Sequence, residues 1–317
     1  MPSLGAFTLP AWARAAHPIV RYERRHWQAS RTWRLVNTLL WGGSLVFLLV
    51  PAACSLLFTV TSTFQSPAEL VLGIGGLFTF GLFFVTAILS GVNTLCAGLL
   101  GATLIARERE SQTWPFLRLT PLPGREIALG KLMAVFYTLG RPLAIITGLR
   151  LLTLLGGLVT LVIAYFVSGS NPYALADVAA AFQRELAVAP NDLLPGVAFF
   201  LLSLLVGLVT WLAEPFWGVL YNGVLGLAAS TLVRSRGAAV AVLFGVQFGI
   251  AFGVFAPAQQ FALLATAPFV VTGTGTPNGF FPLFIIGSQA GLSIVLSLGV
   301  LLGALYLALR RADTLGD

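Results

Sequence analysis

Long apolar runs separated by short polar segments dominate the chain, and each is close to or longer than the roughly 20 residues that cross a bilayer as a helix. Six of these runs predict membrane spans, at residues 37–60, 71–106, 150–168, 196–233, 237–256 and 284–309. None has the alternation of polar and apolar positions that is typical of a membrane β-barrel. The pattern therefore predicts an all-α integral membrane protein with six transmembrane helices in one domain, residues 1–317.

The second run is too long for a single perpendicular crossing. Residues 71–106 would extend for about 54 Å as a helix, whereas the hydrocarbon core of a bilayer is about 30 Å thick. We expect this helix to tilt, to kink near Gly91 or Gly98, or to extend into the cytoplasm.

Another overlong run contains two arginines. An arginine at the centre of a bilayer costs about 2.5 to 3.5 kcal/mol of insertion free energy. We therefore expect Arg141 and Arg150 to lie at the cytoplasmic boundary. Residues 126–147 would then form a cytoplasmic or interfacial helix that is broken at Gly140 and Pro142.

Two further segments are predicted to be interfacial. Residues 11–35 interleave tryptophans and other apolar side chains with six arginines, a combination that suits the headgroup layer of a membrane. We predict an amphipathic helix here on the cytoplasmic face, with a solvated basic leader as the alternative. Residues 257–283 are too apolar for an ordinary loop and too rich in proline for a span. They predict a re-entrant or interfacial pair of short helices between spans five and six.

Composition and charge support the membrane assignment. The chain is 57% hydrophobic and 9% charged, against about a quarter charged in a soluble domain. Its net charge is +7, and every basic residue except Arg184 falls before the first span, between Arg107 and Arg150, at 234–236 or at 310–311. This asymmetry fits the positive-inside rule better than nucleic-acid binding. It predicts a protein of the cell inner (plasma) membrane with both termini in the cytoplasm.

One segment between spans two and three is dense in charge. The residues from Arg107 to Lys131 include eight charged side chains, which hydrocarbon cannot accommodate, so the segment must lie in water. We expect it to be the surface on which a partner acts. The alternative is an ordinary basic loop between two spans.

The same segment resembles a family signature. An isoleucine and a Glu-Arg-Glu triplet are followed by a threonine with a large apolar neighbour, a Thr-Pro-Leu turn and a Gly-Lys pair. The residues in this order are Ile105, Glu108, Arg109, Glu110, Thr113, Trp114, Leu117, Thr120, Pro121, Leu122, Ile127, Gly130 and Lys131. The pattern they form is similar to that in permease subunits of the type-two ATP-binding-cassette (ABC) exporter superfamily.

The resemblance implies that residues 107–125 are a coupling segment, in which residues 111–120 form a cytoplasmic coupling helix that docks on a nucleotide-binding subunit. Thr113 is suited to cap this helix and Pro115 to its first turn, but Pro115 also shortens it. Trp114, Phe116, Leu117 and Leu119 would be apolar anchors. The expected partner-binding residues are Glu108, Arg109, Glu110, Thr113, Trp114, Phe116, Leu117, Thr120, Pro121 and Lys131, with the acidic-basic triplet pairing with the partner or with the leader helix.

The chain has no recognisable nucleotide site. In residues 124–131, GREIALGK, five residues separate the glycines where a phosphate-binding loop has four, Leu132 replaces Ser or Thr, and no strand precedes the motif. The resemblance then implies that ATP and Mg bind a separate subunit, that this chain is not itself an enzyme and holds no cofactor, and that a second permease copy or homologue completes the transporter. Membrane lipid is the other expected partner, and nucleic acid is not expected.

Glu214 is the only acid within an apolar run, where an ionisable group is a candidate for a substrate contact or a gate. It lies about 30 Å of helix from Arg234, near the outer boundary, and a structural role at a kink beside Pro215 is the alternative. The rival function is an ATP-independent secondary transporter or channel. Such a protein would need several charges near the membrane centre, and by sequence Glu214 alone qualifies.

Overall fold

The computed structural model describes residues 10–29, 67–168, 190–257 and 281–315, together with Arg34, Thr38, Gly42, Ala53 and Gln260. Every regular element in these parts of the chain is a helix, as the apolar runs predict. A short 3₁₀ turn at Ala11–Ala13 comes first. The helices are α1 (Pro18–Ala29), α2 (Pro67–Glu110), α3 (Trp114–Arg118), α4 (Gly124–Ser168), α5 (Pro190–Leu232), α6 (Arg236–Ile250) and α7 (Phe281–Thr314).

Four stretches within the described residues are long and apolar enough to cross a membrane: Gly73–Glu110, Gly124–Thr160, Arg236–Phe255 and Ser293–Thr314. The chain is therefore a helical, multi-pass membrane protein. The predicted span at 37–60 and most of the predicted interfacial pair at 257–283 lie outside the described residues. A total of six spans accordingly stays a prediction.

Three helices are about twice as long as a hydrocarbon core requires. Helices α2, α4 and α5 contain 44, 45 and 43 residues, or about 65 Å each. Helix α4 continues without interruption through Gly140 and Pro142, so the predicted break there is wrong. A proline removes one backbone hydrogen bond, and a helix packed against its neighbours tolerates that loss. The buried position of Pro142 is consistent with this explanation.

Helices α2 and α5 run parallel to each other and touch through glycines. A Cβ atom added to Gly101 of α2 would lie 2.5 Å from the carbonyl oxygen of Gly223, and one added to Gly226 would lie 2.6 Å from the backbone nitrogen of Ala102. The backbones are therefore in direct contact, which only residues without a side chain permit. This contact fixes the register of the two helices.

The ends of five helices meet at one end of the bundle, which we call the basic end. There, Glu110 at the end of α2 binds Arg236 at the start of α6, and the backbone N–H of Arg125 near the start of α4 donates to Asp313 of α7. The apolar core lies next to this end. Its fully buried members include Leu104, Ile105, Ile127, Leu139 and Leu227.

The leader helix begins later than residue 11, and residues 30–33 and 35 of the predicted stretch lie outside the described residues. Helix α1 begins at Pro18, a residue suited to a first turn, and packs its buried face on α4 through Val20 and Glu23. Its opposite face exposes Arg21 and Arg25. The helix is thus amphipathic, as predicted, but the chain itself covers its apolar face.

Candidate partner-docking site at the basic end

Residues 111–123 join α2 to α4, and we call them the connector. Helix α2 ends at Glu110, and Gln112 adopts a left-handed backbone conformation (φ 59°) that turns the chain sharply. Helix α3 then occupies only Trp114–Arg118, with Pro115 in its first turn. The predicted coupling helix at 111–120 is therefore too long, because the turn delays its start and a proline sits in its first turn.

Thr113 stands at the N-cap position of α3, but its side chain does not cap that helix. Its hydroxyl instead bonds to the carboxylate of Glu108 and to the Glu108 carbonyl oxygen, the latter at 3.3 Å. The backbone N–H of Thr113 also donates to that carbonyl, at 2.8 Å. These bonds hold the start of the connector against the end of α2.

Four charged side chains form a buried cluster beneath the connector. Glu23 of α1 binds both Lys131 of α4 and Arg107 of α2, the latter with 3.0 Å between Nη2 and Oε2. Glu108 accepts from Arg107 at 2.9 Å and lies 3.4 Å from the Lys131 ammonium. Two positive and two negative charges balance, and three helices are joined. We call these four residues the ion cluster.

Glu108 and Arg107 keep their charges in the ion cluster despite burial. The stretch Gly73–Glu110 is longer than a bilayer requires, and Arg107 and Glu108 lie in its charged last turn, after the apolar run that ends at Ala106. Burial favours the neutral form of Glu108, but the charge of Lys131, the hydrogen bond from Thr113 and the guanidinium of Arg107 together lower the pKa of this carboxyl to about 2. Burial likewise opposes ionisation of Arg107, and Glu23 and Glu108 outweigh that effect and raise its pKa. Glu108 and Arg107 therefore both remain charged at neutral pH.

Several residues expected to bind a partner are used within the chain. Lys131 and Glu108 are almost fully buried in the ion cluster. Arg109 donates to the carbonyl oxygens of Thr231 and Val233, at 3.2 and 3.0 Å, and so satisfies the C-terminal end of α5. Their polar atoms are bonded inside the bundle in this structure, and their expected role as direct partner contacts stays a prediction.

Glu110 remains at the surface. Its carboxylate accepts from the Arg236 side chain at 2.8 Å, and this hydrogen bond lowers the pKa of Glu110. Both side chains are about half exposed. This pair joins α2 to α6 and is open to solvent.

The apolar side chains of the connector point in two directions. Trp114 is 3% exposed and belongs to the apolar core, and Leu117 packs against the same core. Phe116 and Leu119 are 70% and 81% exposed. Residues three apart on a helix share a face, so the pair at 114 and 117 faces inward and the pair at 116 and 119 faces outward. Trp114 is therefore buried in the chain itself, and its expected role as a partner anchor stays a prediction.

The outward residues form a continuous surface, which we call the docking surface: Phe116, Leu119, Thr120 and Pro121. A groove of about 220 Å³ adjoins it, between α1 and the connector. Its walls are mostly apolar and include Ile19, Tyr22, Leu122 and Ile127. Tyr22 is 59% exposed at the rim.

Glu23 was not recognised from the sequence as a site residue. It is fully buried and contacts both bases of the ion cluster. One sequence signal was present, since Glu23 is the only acid among the six arginines of the leader. A lone acid in a basic helix that packs on a protein is a candidate for an internal ion pair.

A second cluster of polar side chains lies between α2, α4 and α5, near the middle of each helix. Arg150 of α4 binds the carboxylate of Glu214 and the carbonyl oxygen of Trp211, both in α5. Ser90 of α2 donates to the same carboxylate at 2.7 Å. We call Ser90, Arg150 and Glu214 the mid-bundle site.

The mid-bundle site lies far along α4 from the basic end, whereas the sequence predicts Arg150 at the cytoplasmic boundary. Arg150 lies 19 residues beyond Lys131, or about 28 Å of helix, and so is far from the basic end. Its side chain is 2% exposed and paired with Glu214, which had been expected at the opposite boundary. Glu214 balances the charge of Arg150. Much of the insertion free energy that favoured a boundary position for this arginine is therefore offset.

Comparison of the sequence with models of known protein families and with curated proteins finds no match. Among the described residues, no group of three or more His, Cys, Asp or Glu side chains is arranged to hold a metal ion.

Proposed function

We propose that this chain is the permease subunit of an ATP-driven ABC transporter, an exporter in which a separate nucleotide-binding subunit hydrolyses ATP with Mg. The observation that carries the proposal is the docking surface. Phe116 and Leu119 expose large apolar side chains at the basic end, while the Trp114 ring beside them is buried. Exposed apolar side chains within a charged surround are typical of residues that anchor a protein partner.

The bonds that hold the connector against the helices support a mechanical role for it. The ion cluster joins α1, α2 and α4 directly beneath it, and Thr113 ties it to the end of α2. A force applied at Phe116 would therefore move α2 and α4 as long levers instead of deforming a loose loop. Both helices continue for about 65 Å across the bundle.

The orientation and partners follow from the same proposal. The basic end faces the cytoplasm of the inner (plasma) membrane, as the positive-inside rule favours, with both termini on that side. The exposed face of α1, with Arg21 and Arg25, contacts anionic lipid headgroups. A second permease copy or homologue covers part of the exposed apolar surface in the far halves of α4 and α5.

The test is co-purification followed by an ATPase assay. A tagged chain extracted from its native membrane should bring down an ATP-hydrolysing subunit. Replacing Phe116 and Leu119 together by alanine should weaken that association at least tenfold, because truncating two anchors costs about 2 kcal/mol or more. A matched control is the pair Phe252→Ala and Leu302→Ala, which truncates apolar residues that are 70% and 56% exposed and lie away from the connector, the mid-bundle site and the far halves of α4 and α5. Unchanged association and ATPase stimulation in the Phe116/Leu119 variant would contradict the proposal.

The second candidate function is an ATP-independent secondary transporter or channel. The mid-bundle site favours it, because Arg150 joins Glu214 as a second ionisable group in the membrane part of the bundle. Ion-gradient-driven uptake into liposomes that contain this chain alone would support this candidate over the permease.

A further inference from the structure

The exposure of Glu214 is unusual for its surroundings. Its side chain is 46% exposed, while that of its partner Arg150 is 2% exposed. Around it lie long apolar helices whose outward side chains include Phe80, Phe83 and Leu155. A carboxylate that faced hydrocarbon directly would be strongly unfavourable, so this face of the bundle holds water or a polar group of a bound molecule.

In the part of the chain that the structure describes, hydrogen bonds reach only one of the two carboxylate oxygens of Glu214. Ser90 and Arg150 both donate to Oε2 of Glu214. Oε1 accepts from none of the described residues. The open position is therefore a hydrogen-bond acceptor, and it suits a group that donates, such as a hydroxyl or an amide N–H.

The charges of the site cancel. Arg150 lies behind Glu214 and compensates the carboxylate, so the site as a whole is neutral. A cationic ligand group would therefore gain little electrostatic attraction at this site. An anionic group would meet the acceptor oxygen of Glu214 instead of a hydrogen-bond donor. A neutral donor is the group that the site fits best.

The walls of the site are aromatic. The Trp211 ring lies over the Arg150 guanidinium, with 5.0 Å from Cζ to the ring centroid, and it stacks on Phe83 at 5.7 Å between centroids. Phe83 is 45% exposed. An apolar chain or the flat face of a sugar ring packs well on such a surface.

We propose that the mid-bundle site binds the transported molecule, and that this molecule is an amphiphile with a neutral, hydroxyl- or amide-bearing head and an apolar tail. The head donates to Glu214 Oε1, and the tail lies along Phe83 and Trp211. The assignment of the bound molecule as cargo rests on the proposed transport function. The binding itself is tested on this chain alone.

Three photoreactive probes that share a twelve-carbon diazirine tail separate the possibilities: a glucoside head, a trimethylammonium head and a carboxylate head. Each is titrated onto the full chain in phosphatidylcholine nanodiscs, and saturable labelling is mapped to the peptides that contain Phe83 or Trp211. We expect the wild-type chain to bind the glucoside probe at least tenfold more tightly than either charged probe.

Two variants should change this preference in opposite directions. Glu214→Gln leaves Arg150 uncompensated, so the carboxylate probe should become the preferred one. Arg150→Gln leaves Glu214 uncompensated, so the trimethylammonium probe should be preferred. The double variant restores neutrality and the preference for the glucoside, and Arg141→Gln, an exposed arginine on the same helix, should behave as wild type.

Several results would overturn the proposal. One is an identical order of preference in the wild-type chain and both single variants. Another is the absence of saturable probe binding together with cross-linking of a second copy of the chain at this site, because a protein contact would then cover Glu214. A single variant that does not elute from a size-exclusion column as the wild-type chain does is left out of the comparison. The wild-type titrations then test the proposal alone, and a wild-type preference for either charged probe refutes it. None of these results depends on an ATPase subunit, so failure here is distinct from failure of the docking test.

Discussion

Glu23 of α1 and Lys131 of α4 form a buried ion pair although they are 108 positions apart in the chain. The pair fastens the leader helix to the bundle at the point where the connector begins. Arg107 and Glu108 extend it into a neutral cluster, so each acid lies against both bases. Taking away one member would leave an uncompensated charge in a site with little access to water.

We predict that Glu23→Gln destabilises the protein by about 3 to 5 kcal/mol, because Lys131 and Arg107 then share a single acid. Thermal unfolding in detergent measures the loss, and limited proteolysis should cut the leader faster. Arg25→Gln, on the exposed face of the same helix, is the matched control and should change stability by less than about 0.5 kcal/mol. Equal melting temperatures for the two variants would mean that the ion cluster does not hold the leader.

The glycine contact between α2 and α5 gives a second prediction. Gly226→Ala should destabilise the protein by about 1 to 3 kcal/mol, because the new methyl group meets the backbone of α2 at Gly98 and Ala102. Gly207→Ala in the same helix is the control. No atom lies near its added Cβ, so it should be neutral or stabilise the helix by about 0.5 to 1 kcal/mol. Melting curves of the two variants in one detergent compare them, and a Gly226 variant as stable as wild type would rule out the close contact.

Much of the fold was predictable because its signals are local. The apolar runs identify a helical membrane protein, and the predicted span at 237–256 agrees closely with α6 and its π-helical continuation, Arg236–Phe255. The start of α6 is well marked, since the Ser235 hydroxyl accepts from the backbone N–H of Ala238. Boundaries set by charge and by a capping residue can be found without tertiary information.

Other features depend on packing and were not predictable. Arg150 and Glu214 each looked costly alone, and only the contact between α4 and α5 makes them partners. The connector posed a different difficulty. A helix of five residues has no repeated pattern, so nothing in the sequence indicates that Trp114 points inward and Phe116 outward.

Trp114 points inward and Phe116 points outward, so alanine substitutions at the two positions should differ in their effect on stability. Trp114→Ala should cost about 3 to 5 kcal/mol of folding stability, because it empties a large site in the apolar core. Phe116→Ala should leave stability within about 0.5 kcal/mol of wild type, since the ring is exposed. Thermal unfolding of the two purified variants distinguishes them, and it does so without any partner. A destabilised Phe116 variant alongside a normal Trp114 variant would reverse the assigned orientation.

The acidity of Glu108 makes the ion cluster sensitive to low pH. Its pKa is about 2 in the folded protein and close to its ordinary value of 4.5 when the chain is unfolded. A lowered folded-state pKa stabilises the protein above pH 4.5, and this contribution is lost as the pH falls from 4.5 toward 2. The loss approaches about 1.4 kcal/mol for each pH unit between the two values. Melting temperatures between pH 6 and pH 3 should therefore fall less steeply for Glu108→Gln, a variant of lower stability throughout, than for wild type. Parallel curves for the two proteins would show that Glu108 does not carry this pH dependence.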